Sequence, residues 1–153
     1  MSTWDDTISG ARLRLRRKAP MFSMLALHAT MIPDEHIETA CTNGQDIRIN
    51  PDFWSGLTHG ERDFLLAHEV LHLALLHVSR RRMRDTILWN RAADIVVNGM
   101  CEAVGLKPIV GSVRDRKLGT LRVEEVYELL EKASASRRRK FGAALGQGLS
   151  DLG

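Results

Sequence analysis

The chain has 153 residues, a net charge of +3 and a hydrophobic share of 44%. This length suffices for one domain with a proper core and hardly for two. The opening residues, MSTWDDTISG, lack the apolar run of a signal peptide, and no apolar stretch is long enough to span a membrane. The sequence therefore predicts a cytoplasmic protein without membrane contacts.

Basic residues are concentrated in three clusters, at 12–18, 80–84 and 137–140. Solvated helix faces and helix C-termini account for such clusters, because cations suit the negative end of the helix dipole. Aromatic residues make up only 5% of the chain and do not alternate with the basic runs, which argues against a nucleic-acid partner. The two cysteines, Cys41 and Cys101, form no CxxC pair, and we expect both to be free thiols.

The first third of the chain predicts a helix followed by short strands. Apolar spacing indicates a helix over residues 3–18, which Pro20 ends. Residues 23–32 fit either a strand or a continuing helix, with a strand at the end of the segment. Next, IETACTNGQDIRIN reads as two strands of a hairpin, with Asn43-Gly44 in a type I′ turn.

Three further helices are predicted. Thr58 and Glu61 form a capping box that opens a helix over residues 59–80, and its apolar residues surround most of its circumference, as in a buried helix. A second helix spans about 86–104, and a third covers RVEEVYELLEK. From residue 134 the chain is rich in Ser, Ala, Arg and Gly, which predicts a flexible tail or a truncated linker. The expected fold is α+β, with one domain over residues 1–133.

The buried helix carries a motif with chemical meaning, His68-Glu69-Val70-Leu71-His72, or HExxH. Residues four apart differ by roughly 40° around a helix, so both imidazoles project from one face and can reach one Zn²⁺. Glu69 lies roughly 100° from His68, beside the metal, where it can take a proton from the attacking water. A cluster of ordinary core residues would have to bury an unpaired carboxylate, which is costly.

The third ligand has two candidates. His77 lies nine residues after His68, a rotation of about 900°, so on a continuous helix it points away from the metal. Asp94 lies in an otherwise apolar segment of the next helix, where a carboxylate needs an arginine or a metal as partner. Asp94 is therefore the better candidate, and His77 the alternative. Asn90 and Asn98 share the face of Asp94 and are candidate hydrogen-bond partners of the ligands.

These motifs resemble a known family. HEVLHLALLHVSRRR…LWNRAADIVVN, with TNGQDIRINPDFWSGLTHGERDFLLAHE before it and VEEVYELL after it, is similar to the metallopeptidase domain that bacterial proteins often place ahead of a von Willebrand factor A-like domain. The resemblance implies a zincin-like fold, His68, His72 and Asp94 as ligands of one Zn²⁺, and Glu69 as catalytic acid/base. It also implies a von Willebrand factor A-like partner outside this chain.

The function expected from these residues is zinc-dependent hydrolysis of peptide bonds in a peptide or protein substrate. By analogy with zincins, the strand at 45–50 is the expected edge for an extended substrate. Two alternatives remain open: a zinc-dependent amidase or deacylase acting on a non-protein substrate, and a non-catalytic zinc-binding interaction module. Candidates for stabilising the oxyanion or supporting the ligands are His59, His77, Asn90, Arg91, Asn98 and Tyr127.

Overall fold

The elements of the fold follow local signals along the chain. The computed structural model describes residues 3–151, and describes side chains up to residue 142. In that part of the chain the elements are α1 (Trp4–Lys18), α2 (Pro20–Ala26), β1 (Thr30–Pro33), β2 (Ala40–Thr42), β3 (Asp46–Ile49), α3 (Pro51–Ser55), α4 (His59–Ala74), α5 (His77–Arg80), α6 (Thr86–Ala103), a 3₁₀ turn (Leu118–Thr120) and α7 (Val123–Asp151). The α+β prediction is confirmed. Within the described residues, no helix has the length and apolarity needed to cross a membrane.

Side-chain caps fix the starts of the long helices. The Thr58 hydroxyl accepts a hydrogen bond from the Glu61 backbone N–H, and the Glu61 carboxylate accepts one from the Thr58 N–H. This confirms the predicted capping box, which satisfies two backbone donors that a helix start leaves free. Asp85 caps α6 in a similar way through the N–H of Leu88.

The three strands form one mixed sheet in the order β1-β3-β2. β3 pairs in parallel with β1 and antiparallel with β2. Ile47 and Ile49 of β3 are fully buried, since they alternate toward the helices on one face of the sheet. The strand at 45–50 is therefore central rather than the expected substrate edge, and β2 is one of the two edge strands.

The hairpin between β2 and β3 turns one residue later than predicted. Thr42 pairs with Ile47, so Gly44 and Gln45 are the two central residues of the turn. Gly44 has φ of +92°, a conformation that favours glycine, and the Asn43 side chain accepts hydrogen bonds from the N–H groups of Gln45 and Asp46. Because its side chain makes these two hydrogen bonds, Asn43 is the residue before the turn and not one of its two central residues.

Two hydrophobic cores share α6. The first core lies between the sheet and α1, α2 and α4, and its largest fully buried members are Trp54, Phe64, Leu15, Ile47, Ile49, Leu66, Leu71, Val70 and Val97. The second core lies between α6, α7 and the 3₁₀ turn, and contains Trp89, Ala92, Ala93, Ile95, Val96, Val123, Val126 and Tyr127. Because α6 contributes to both cores, its position relative to α4 is fixed from two sides.

The chain after α6 packs tightly against that helix. A Cβ built on Gly99 would lie 3.0 Å from the carbonyl oxygen of Gly119 in the 3₁₀ turn. Any larger residue at position 99 would therefore push the two backbones apart. This approach holds the segment between α6 and α7 against the end of α6.

Two predicted helix boundaries were wrong. The helix expected over 59–80 ends at Ala74, and α5 follows as a separate short helix, because Leu76 adopts a left-handed conformation with φ of +56°. The third predicted helix, RVEEVYELLEK, continues as α7 to Asp151 through the stretch that was expected to be a flexible tail or a truncated linker. The domain boundary at residue 133 stays a prediction.

Candidate metal centre

α4 belongs to the first core, packs against α6 and carries the HExxH motif. Apolar residues cover most of the circumference of this helix, so Glu69 is buried, and His68 and His72 are partly buried. The Nε2 atoms of His68 and His72 are 2.9 Å apart, as expected for residues one helical turn apart that face the same point.

Asp94 reaches the same point from α6. Its Oδ1 lies 2.9 Å from Nε2 of His72 and 3.3 Å from Nε2 of His68. Among the described residues, these three side chains are the group of His, Cys, Asp or Glu whose ligand atoms converge closely enough to hold a metal ion. The structure thus brings together the three predicted ligands, two from α4 and one from α6.

Asn98 sets the orientation of the His68 ring. Its amide nitrogen donates to the carbonyl oxygen of Val113 at 2.7 Å, which leaves its Oδ1 facing His68 Nδ1, also at 2.7 Å. Since Oδ1 can only accept, His68 carries its proton on Nδ1 and donates it to Asn98. The lone pair of His68 Nε2 then points toward His72 and Asp94.

His77 plays the corresponding part for His72. The left-handed Leu76 turns the chain back, and Nδ1 of His77 comes within 2.9 Å of Nδ1 of His72. The indole N–H of Trp89 anchors this turn by donating to the His77 carbonyl oxygen at 2.7 Å. On a continuous helix, His77 would point away from the candidate metal centre. Here its ring instead faces His72, but it is not one of the three side chains of the cluster.

The two supporting contacts determine what the centre can bind. With protons on both Nδ1 atoms, three lone pairs converge, from His68 Nε2, His72 Nε2 and the Asp94 carboxylate. Three such groups at this spacing repel one another unless a cation lies between them. Tetrahedral zinc with nitrogen and oxygen ligands places the ligand atoms about 3.3 Å apart, close to the observed 2.9–3.3 Å. The donor set and its geometry fit Zn²⁺ with one position left open.

Charge interactions in the cluster are strong. Burial raises the pKa of Asp94, but the hydrogen bonds that Asp94 accepts when a proton lies on Nε2 of His68 or His72 outweigh burial and hold that pKa far below its ordinary range. Burial, with help from His72 and Arg80, lowers the pKa of His77 to about 3, so this ring is neutral at physiological pH. A neutral His77 can accept the Nδ1 proton of His72, as the proposed tautomers require.

Glu69 lies beside the cluster. Its Oε1 is 3.9 Å from Nε2 of His68, and the residue is 6% exposed, on the wall of a cavity. Burial raises the pKa of its carboxyl group above the ordinary value, against the opposing influence of His68 and His72. A carboxyl group with a raised pKa is suited to accept and return a proton near neutral pH.

The cluster opens into a cavity of about 790 Å³. This volume falls in the range of sites that bind small molecules or peptide segments. One wall is the edge strand β2 with Thr39 before it, and another is the segment 109–113 between α6 and the 3₁₀ turn. The backbone of an edge strand offers free hydrogen-bonding groups on the wall of the same cavity.

The comparisons with known proteins agree with this geometry. Residues 4–148 match the family described as "Putative metallopeptidase domain". The chain belongs to this family. Neither the curated proteins nor the solved structures provide a significant match.

The remaining predicted residues of this metallopeptidase-family domain fall into two groups. His77, Asn90 and Asn98 line the cavity. Arg91 is exposed and outside the cavity lining, and the Tyr127 hydroxyl accepts a hydrogen bond from the Asp85 N–H within the second core. The structure therefore does not bring Arg91 or Tyr127 to the candidate centre, and His59 is also outside the cavity lining.

Sequence reasoning missed two contributors to the site of this domain. Val113 fixes the Asn98 amide through its backbone carbonyl, which no side-chain pattern reveals. Arg81 lines the cavity, although its cluster of arginines was assigned to solvated helix surface. An available signal was that Arg80, Arg81 and Arg82 are consecutive, because consecutive residues in a helix point about 100° apart and cannot all share one face.

Proposed function

We propose that this chain is a zinc-dependent peptidase, with His68, His72 and Asp94 as the metal ligands and Glu69 as the acid/base. The observation that carries the proposal is the convergence of three lone pairs on one point beside a buried carboxyl group. Membership in a metallopeptidase-domain family supports the same reading. A purely structural metal site has no use for a carboxyl group at the position of Glu69.

Each residue of the proposed site has a separate task in this reaction. Asn98 and His77 hold the two imidazoles so that Nε2 of each faces the centre. Glu69 accepts a proton from the attacking water and delivers it to the nitrogen of the leaving amine. When bound here, zinc would supply Lewis-acid polarisation of the scissile carbonyl and make the water more acidic.

The cavity wall suggests how an extended peptide binds. β2 is an edge strand that lines the cavity, so its free backbone groups can pair with a substrate in β-conformation. Such pairing forms hydrogen bonds with the peptide backbone and not with its side chains. It would position the scissile bond along the wall that faces His68 and Glu69.

The test uses Glu69→Gln, with Glu128→Gln as the matched control. Glu128 is exposed on α7 and is not among the cavity-lining residues, so its substitution makes the same chemical change outside the site. Zinc is measured by elemental analysis, and hydrolysis with a mixture of quenched fluorescent peptides. We expect one zinc per chain in all three proteins. We also expect a loss of about 10²- to 10⁴-fold in kcat/KM in Glu69→Gln alone, the usual worth of an acid/base group.

Two results would overturn the proposal. One is a natively folded wild type that takes up no stoichiometric zinc. The other is a zinc-loaded wild type that cleaves only non-peptide amides, because the reaction would then be that of an amidase or deacylase.

A further inference from the structure

The arginines that follow the histidine motif have different environments. Arg80 forms a bidentate pair with Glu124 of α7 at 2.9 and 2.7 Å and also donates to the Leu75 carbonyl oxygen. Arg84 stacks over the rings of Trp89 and Tyr127. These two side chains tie α5 and the following turn to the second core, so structural roles account for both.

Arg81 has no such structural partner. Its guanidinium donates one hydrogen bond to the hydroxyl of Thr86, and among the described side chains no carboxylate forms a salt bridge with it. Both Arg81 and Thr86 line the cavity. A guanidinium group has five N–H donors, so most of the donors of Arg81 remain free for a bound molecule.

The charge of Arg81 is isolated within the cavity. Of the lining residues, only Glu69, Asp94 and Arg81 belong to the Asp, Glu, Lys and Arg types within the part of the chain that the structure describes. The two carboxylates belong to the candidate metal centre. The rest of the lining therefore carries a single fixed charge, which is positive.

Arg81 also has a defined place relative to the metal centre. It follows His77 by four residues in helical conformation, so it lies on the same side of the cavity as the His72–His77 pair. The His68 side is different, because Phe64 packs near the His68 ring and Val113 is joined to it through Asn98. Arg81 therefore contributes a positive charge on the His72 side, whereas Phe64 and Val113 border the His68 side.

We propose that Arg81 is a specificity-determining residue that binds a carboxylate of the substrate on the His72 side of the metal centre. The planar guanidinium matches a carboxylate with two parallel hydrogen bonds, and Thr86 fixes one edge of it. This inference rests on the proposed peptidase function. The carboxylate is either an Asp or Glu side chain or the free C-terminus of the peptide.

The experiment measures kcat/KM on matched quenched peptides. One set places Glu, Gln or Lys at each position around the cleavage site, and another compares a free with an amidated C-terminus, so the two sources of the carboxylate are separated. We expect the preferred carboxylate to raise kcat/KM by about tenfold to a hundredfold, the usual effect of a hydrogen-bonded charge.

Three variants assign this preference to a residue. Arg81→Gln is expected to reduce the ratio between carboxylate and neutral peptides to about one, and Arg81→Glu to favour Lys over Glu at the same position. Arg82→Gln is the control, because Arg82 is the exposed neighbour outside the cavity lining and should retain the wild-type ratio. A purely structural role of Arg81 would lower all rates equally and leave the ratio unchanged.

A binding measurement separates this inference from the proposed function. Fluorescence anisotropy of the same labelled peptides with zinc-loaded Glu69→Gln protein reports recognition without turnover. If the wild type cleaves peptides but neither rates nor binding prefer a carboxylate, the inference about Arg81 is wrong. If the wild type cleaves no peptide, yet carboxylate peptides bind and Arg81→Gln abolishes that preference, the peptidase function fails and carboxylate recognition stands.

Discussion

The two histidines of the candidate centre are supported in different ways. On the His68 side, Asn98 uses both ends of its amide, one for His68 and one for the Val113 carbonyl, so every polar group has a partner. On the His72 side, the support is a second histidine, and the buried Nε2 of His77 has no hydrogen-bond partner within the described residues.

This difference shows where the fold tolerates a local cost. A buried donor without a partner costs about 1–3 kcal/mol, and a left-handed non-glycine residue such as Leu76 costs about 1–2 kcal/mol. Both costs fall on the His72 side. That side is also where the chain turns from the motif helix toward Arg81, so the same turn orients His72 and places the cavity's positive charge.

The largest effect on zinc binding is expected from substitution of Asp94, because its carboxylate contacts both His68 and His72. Asp94→Asn keeps the shape of the side chain and removes the negative charge. Sharing a typical zinc binding free energy of about 10–16 kcal/mol among four ligands predicts a loss of roughly 3 kcal/mol, or about a hundredfold in zinc affinity. Competition with a fluorescent chelator measures this loss, and Asp5→Asn, on the exposed first turn of α1, is the control. Unchanged zinc affinity would mean that Asp94 is not a ligand.

The next effect compares the two supporting residues directly. Asn98→Leu and His77→Phe should each weaken zinc binding by about 10- to 100-fold, because each frees an imidazole from its acceptor. Their effects on stability should differ. Asn98→Leu leaves the Val113 carbonyl and the His68 ring without partners and should lower the free energy of unfolding by about 1–3 kcal/mol. His77→Phe leaves the His72 ring without a partner but removes the unpaired Nε2 of His77, so it should lower that free energy by less.

Denaturant titration of the metal-free proteins measures that difference. Equal losses of stability in the two variants would show that the unpaired nitrogen of His77 carries no cost. Unchanged zinc affinity in both variants would show that neither residue orients a ligand.

The two sides should also respond differently to pH. Burial lowers the pKa of His68, but its hydrogen bond with Asp94 and the nearby Glu69 charge outweigh burial and raise it above the usual value. Because the folded state favours the proton, this contribution to stability is present below about pH 6.5 and is lost as pH rises through the folded pKa. The raised pKa of Glu69 acts in the same direction, while His77, with a pKa of about 3, is already neutral.

Zinc reverses this trend, because it binds the deprotonated imidazoles. We therefore expect the thermal stability that zinc adds to increase from about pH 5.5 to pH 8, across the range in which histidine titrates. Differential scanning fluorimetry with and without a chelator measures this increase. A zinc-dependent shift that does not vary with pH would contradict the assignment of histidine ligands.

The smallest effect is expected at Leu76. Leu76→Gly relieves the left-handed strain, and the side chain is 57% exposed, so little burial is lost. The greater freedom of glycine in the unfolded chain offsets part of the gain, leaving about 0–1 kcal/mol of added stability. Leu76→Val, which is β-branched, should be destabilising. If glycine instead destabilises the protein and weakens zinc binding, the turn depends on the leucine side chain.

The sequence alone was informative wherever local chemistry decides structure. The capping box at Thr58 located the start of the motif helix, and the spacing of His68 and His72 placed both rings on one face. Asp94 could be predicted because a carboxylate in an apolar helix needs a positive partner. These inferences need only residue type and helical periodicity, which act over a few residues.

Only the tertiary structure decided the parts that depend on distant residues. Nothing between Leu73 and Leu76 marks a helix end, and the turn at Leu76 persists because Trp89, 12 residues beyond His77, donates to the His77 carbonyl. β3 is the central strand because it also pairs in parallel with β1. The edge strand that lines the cavity is therefore β2. Short-range patterns therefore determined the HExxH motif, and long-range packing determined how its rings are held and which charge faces the cavity.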